Sequence, residues 1–142
     1  MRRSRSTITP PSLRRSPTIT AHPDAIAAAQ LAAAAITDKK GFDLLILDVS
    51  DLVVVTEVFV IATGTSTRHV KTLVEEADYV LKTDTERLPL RREGEDYGRW
   101  VLLDYGDFVV HVFDQETRDY YELERLWADA PSIEVESVGA EA

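Results

Sequence analysis

The chain contains no cysteine. That excludes a disulfide scaffold, a thiol nucleophile and any cysteine-ligated zinc, and it suits the cytoplasm. No run approaches the roughly 20 consecutive apolar residues that a membrane-spanning helix requires. Basic charge is scarce as well: 16 Lys and Arg stand against 25 Asp and Glu, a formal charge of -9 over 142 residues. Residues 1–22 hold Arg2, Arg3, Arg5, Arg14 and Arg15 and no acid; setting these five charges aside takes -9 to -14 for the remainder. Phosphate backbones repel so acidic a surface, so direct nucleic-acid binding is disfavoured and a basic protein is the more natural partner. Walker loops, GxGxxG and GxSxG elbows are missing too. None of His22, His69 and His111 has a second ligand at zinc spacing, so neither a metal nor a cofactor is expected.

What is present is one domain's worth of ordinary globular composition, 44% hydrophobic and 29% charged, which excludes a wholly disordered chain. Residues 1–22 carry Pro10, Pro11 and Pro17, many Ser and Thr, and almost no large apolar side chain. They are expected to form a disordered basic extension. Their Arg- and Ser-rich composition also resembles a transit peptide, although the prolines interrupt any continuous amphipathic helix. A loose tail and an over-extended start codon are the other readings. Residues 23–131 are the expected domain, and residues 132–142, after Pro131, an acidic disordered tail.

Within the domain the hydrophobic period changes several times. Pro23 and Asp24 suit a helix first turn, and the Ala-rich run to Ile36 continues it to a stop near Gly41. Residues 42–49 and 58–63 read as strands that are apolar at nearly every position, as strands covered on both faces are. Ser66 caps a helix whose stripe is Val70, Leu73, Val74, Ala77, Val80 and Leu81. Residues 88–92 read as a short edge strand limited by Pro89. Residues 98–113 read as two strands joined by a two-residue turn at Tyr105-Gly106. Asp114 caps a last helix with Tyr120, Leu123, Leu126 and Trp127 as its buried stripe. The fold class is therefore α/β, a mixed β-sheet flanked by helices.

That turn sets Trp100 opposite His111 and Leu103 opposite Phe108. Opposed residues share a sheet face, so Val101, Leu103, Phe108, Val110 and Val112 form a wholly apolar face that belongs on the helices. Trp100, Leu102, Asp104, Asp107, Val109 and His111 form the other. An aromatic and aliphatic centre ringed by polar groups is how protein interfaces are built. The competing reading is that a tail or a helix covers this face. A second copy of the chain is a third occupant, which would make the protein a homodimer.

Enzymatic chemistry finds little support. The segment ATGTST, residues 62–67, follows a strand and opens a helix, as the first loop of a nucleotidyltransferase does, but Ser and Thr there are ordinary caps. Those enzymes also need paired acids on a neighbouring strand to hold two Mg²⁺ ions, whereas residues 99–104 carry only Asp104 at their end. A divergent metal-dependent nucleotidyltransferase using Gly64, Thr65, Ser66 and Asp104 is the alternative. His111, opposite an aromatic, suits a stacked interface ring better than a general base.

Three segments carry a resemblance: VFVIATGTSTRH at 58–69, RWVLLDYGDFVVHVF at 99–113 and RDYYELERLW at 118–127. Together with Arg92, Glu93 and Gly94, in the same order from about residue 25 to 131, they resemble the Iojap-like ribosomal silencing factors (RsfS). One departure is Glu57-Val58, where that family usually has Asp followed by an aromatic. The resemblance implies a nucleotidyltransferase-like fold without catalytic acids, and so no enzyme. It implies binding to ribosomal protein fourteen of the large subunit (uL-fourteen), obstruction of small-subunit joining and repression of translation under nutrient limitation. Carried over by position, the contact residues are Trp100, Leu102, Asp104 and Tyr105, with His111 beside them.

Overall fold

The computed structural model describes residues 18–122, 125 and 128–135. Helix α1, Pro23–Asp38, starts on His22, whose side chain accepts the Asp24 N–H, and its alanines let it pack closely. Strand β1, Phe42–Asp48, and strand β2, Val58–Gly64, pair antiparallel. Helix α2, Thr67–Thr85, opens on Ser66, whose hydroxyl accepts the His69 N–H at 3.0 Å. The edge strand β3, Arg91–Glu93, begins beyond Pro89, which lacks the N–H a ladder needs. Strands β4, Trp100–Asp104, and β5, Phe108–Asp114, form the hairpin. Helix α3, Gln115–Tyr121, is capped by Asp114 through the Thr117 N–H at 2.8 Å. A two-residue strand β6, Ser132–Ile133, closes the series.

The six strands order β3-β4-β5-β2-β1-β6, with β2 and β5 parallel and the other pairs antiparallel. The sheet is mixed, as expected. Helices α1 and α2 cover one face. There Ile46, Val60, Val101, Leu103, Phe108, Val110 and Val112 are buried against Ala29, Ala32, Ile36, Leu73 and Leu81. The opposite face holds a smaller cluster in which Leu47, Ile61, Phe113 and Ala130 are buried and Leu45, Phe59 and Trp100 are partly so.

The hairpin differs from expectation in register. Trp100 opposes Phe113, Leu102 opposes His111 and Asp104 opposes Val109, two residues away from the predicted pairing. Tyr105 donates its N–H to the Phe108 carbonyl, so the loop is Gly106-Asp107 rather than Tyr105-Gly106. Gly106 adopts φ +93°, the conformation that a two-residue turn asks of its first position and that an aromatic residue resists. Because the slip is an even number, the faces keep their members. Asp107 is the exception: it lies in the turn, bonded to Arg87.

The ends are more tightly held than composition implied. Thr20 and Ala21 donate their N–H groups to Asp48 at 2.6 and 2.9 Å, His22 donates to Glu57 at 2.6 Å, and Ala21 is buried. Ser132 and Ile133, expected in the acidic tail, pair with Leu47 and Ile46. Residues 1–17 and 136–142, the bulk of the two expected tails, lie outside the described residues.

Candidate functional site

Strand alternation brings Trp100, Leu102 and Asp104 to the sheet face away from α1 and α2, all three half-buried. Their cross-strand partners extend it: Leu102 opposes Glu93, Asp104 opposes Arg91, and Val109 lies beside Phe59. The indole of Trp100 stacks on Phe113 at 4.8 Å and 25° and meets Tyr121 at 4.9 Å. Its N–H donates to Nδ1 of His111 at 3.1 Å. The covering that competed with an interface is partial: Ala130 packs with Leu47 and Phe113, Tyr121 of α3 packs on Trp100, and Trp100 and Leu102 still stay half-exposed.

Asp104 is tied rather than free. Its carboxylate accepts from Arg91 at 3.2 Å and from the Gly106 N–H at 2.8 Å. A partner would therefore meet a paired charge at this rim, worth little in water-facing surroundings.

Two of the predicted contact residues are not on the surface. Tyr105 is 3% exposed and stacks on Phe108 at 4.7 Å and 3°, inside the helix-covered core. Burial, with the negative charge of Asp78 adding to it, raises its phenol pKa to about 12. The one-residue displacement of the turn moves Tyr105 from loop to ladder and so turns its ring inward. His111 is 5% exposed, beneath Trp100 and edge-on to Phe59 at 4.8 Å. Burial lowers its pKa to about 4 against a smaller opposing effect of Asp104, so it is neutral at physiological pH.

Sequence reasoning missed the aromatic flank of Trp100. A groove of about 440 Å³ opens there, walled by Tyr97, Arg99, Trp100, Tyr120 and Tyr121. Gly94 sits at its floor with φ +86°, where a Cβ would collide with the Trp100 carbonyl. Tyr120, expected in a buried stripe, is 78% exposed. The reason is that α3 stops at Tyr121 and Glu122 turns left-handed at φ +48°, so no single helix carries the stripe. Leu123, Leu126 and Trp127, its other members, lie outside the described residues. No local pattern marks Tyr97; only its neighbourhood to Trp100 does. Arg118 was missed as well. It is buried and donates to the Asp43 carbonyl at 2.7 Å and the Thr63 hydroxyl at 2.6 Å, fixing α3 on the sheet.

The residues of the enzymatic alternative do not meet. Gly64 registers with Asp114, whereas Asp104 registers through Val109 with Phe59, five residues back along β2. At about 3.3 Å per residue that is roughly 16 Å along the strands alone, with two strand spacings more across the sheet, between the glycine loop and the single acid. The loop is also closed on itself: Thr65 donates its N–H to Nδ1 of His69 at 2.9 Å, and Nε2 of His69 bonds the Lys39 carbonyl. Among the described residues no three His, Asp or Glu side chains cluster as metal ligands would.

Residues 22–142 match the protein family described as "Ribosomal silencing factor during starvation". The chain is 39% identical over 109 residues to ribosomal silencing factor RsfS of Halalkalibacterium halodurans, covering 77% of this chain and 92% of that one. It is 37% identical over 91 residues to the mouse protein named mitochondrial assembly of ribosomal large subunit protein 1, covering 60% of this chain and 38% of that one. A crystal structure of a Chromobacterium violaceum protein, 40% identical, superposes with a TM-score of 0.69 over 72% of this chain and 84% of that one.

Proposed function

The chain belongs to the RsfS family of ribosomal silencing factors, and from that premise we propose that it is a non-catalytic binder of the large ribosomal subunit. It docks on uL-fourteen with the sheet face of Trp100, Leu102 and Asp104, and acts in the cytoplasm. Its bulk then occupies the surface where the small subunit would join, and translation falls under nutrient limitation. The observation that carries this reading is the sheet face itself. Trp100 and Leu102 stay at the surface of an otherwise well-covered sheet, the combination of apolar centre and polar rim that interfaces use. The acidity of the domain suits a basic ribosomal protein.

Separated subunits provide the test. The protein should sediment with the large subunit and not the small one, and light scattering should record slower or smaller formation of joined ribosomes. Unchanged joining at saturating protein refutes the proposal. Sedimentation with the large subunit that survives Trp100→Ala unweakened would move the contact to another surface.

A further inference from the structure

His111 is an odd choice for its position. It lies beneath the Trp100 face with the rings of Phe59 and Phe113 beside it, where a Phe or Leu would pack without any polar atom to satisfy. Its Nδ1 accepts the Trp100 indole N–H, which puts the imidazole proton on Nε2. That Nε2 is buried and has no hydrogen-bond partner among the described residues. A buried donor left unmade destabilises a fold, and burial also disfavours the imidazolium. The side chain is therefore poorly explained by stability alone. What it does accomplish is to engage the only polar atom of the indole from the inner side.

We propose that His111 is a positioning residue for the binding face: by accepting the indole N–H it holds Trp100 in one orientation on Phe113. The inference rests on the reading of Trp100 as an anchor. An indole already bonded inward presents only ring carbon, so a partner need not supply an acceptor for a buried N–H. A ring already fixed by His111, Phe113 and Tyr121 also loses less rotamer freedom when it docks. His111 contributes to affinity in this way without touching the partner, the role its burial allows.

The test uses the full chain and three variants: His111→Phe, which fills the space without an acceptor, His111→Gln, which keeps one, and Trp100→Ala. Each is measured by urea unfolding at pH 7, by titration against purified large subunits, and by hydrogen exchange of the Trp100 indole N–H in NMR. The peak lost in Trp100→Ala identifies that N–H. The expected result for His111→Phe is a urea midpoint no lower than wild type, faster indole exchange, and affinity weakened about tenfold, the scale of one hydrogen bond. His111→Gln should recover part of both the exchange protection and the affinity. Undiminished affinity in His111→Phe, with affinity lost in Trp100→Ala, overturns the positioning role and leaves the face standing. A lowered urea midpoint or unchanged indole exchange in His111→Phe overturns it too. Undiminished affinity in Trp100→Ala refutes the reading of the face, and the inference with it.

Discussion

Acidification should destabilise the wild-type chain more than a His111→Phe variant. Burial holds the folded His111 near a pKa of about 4, against 6.5 for a free imidazole. Below about pH 6.5 the unfolded chain takes up a proton at this side chain, while the folded chain does not until the pH nears 4. The contribution of this group to stability is therefore complete above pH 6.5 and is lost as the pH falls through that window. A gap of roughly 2.5 pH units at about 1.4 kcal/mol each gives roughly 3–4 kcal/mol in full, of which about 3 kcal/mol is lost by pH 4, a large share of an ordinary folding free energy of roughly 5–15 kcal/mol. Urea unfolding followed by circular dichroism, at several values between pH 7 and pH 4 for both chains, reads this directly. Carboxylates titrate in both chains and cancel in the difference. The advantage of the variant should grow by about 3 kcal/mol on acidification. If the two stability curves run parallel, His111 is not buried as a neutral acceptor and the account of Trp100 fails with it.

Three further outcomes are expected. In urea unfolding, Leu103→Ala should lose about 2–5 kcal/mol as a fully buried core truncation, whereas Trp100→Ala, half-buried, should lose only about 1 kcal/mol; equal losses would place Trp100 in the core. Asp48→Ala leaves the N–H groups of Thr20, Ala21 and Ser50 without their acceptor and should cost about 3 kcal/mol in the same assay. A chain beginning at Thr18 should keep its melting temperature and its large-subunit binding, while one beginning at Pro23, which discards the buried Ala21, should melt earlier; identical melting would show that the Asp48 contacts hold nothing.

Much of the architecture was legible because it depends on local chemistry. Ser66 and Asp114 were identifiable as caps since a side-chain oxygen before a periodic run has one obvious use, and both make the expected bond. The Trp100 face was legible for a different reason: alternation assigns residues to faces whatever the register, provided any slip is even. Register itself was not legible from counting turn residues. Whether Tyr105 or Gly106 opens the loop depends on which of them can take positive φ and on where the tyrosine ring finds burial.

What the sequence by itself determined is the order of helices and strands as far as α3, the helix-facing set of Val101, Leu103, Phe108, Val110 and Val112, and the family likeness carried by the hairpin. These follow from periods of two and 3.6 residues and from short strings, all of them properties of neighbours in the chain. Tertiary structure alone decided that Tyr105 belongs to the core, that His111 lies beneath Trp100 instead of beside it, and that Arg118 bridges residues 55 and 75 positions away. It also decided that α3 is held on the sheet by Arg118 and covers Trp100 only in part, leaving Trp100 and Leu102 half-exposed. A strand's pattern states which face a side chain takes, but whether that face is covered depends on where distant segments pack. No local period carries that information.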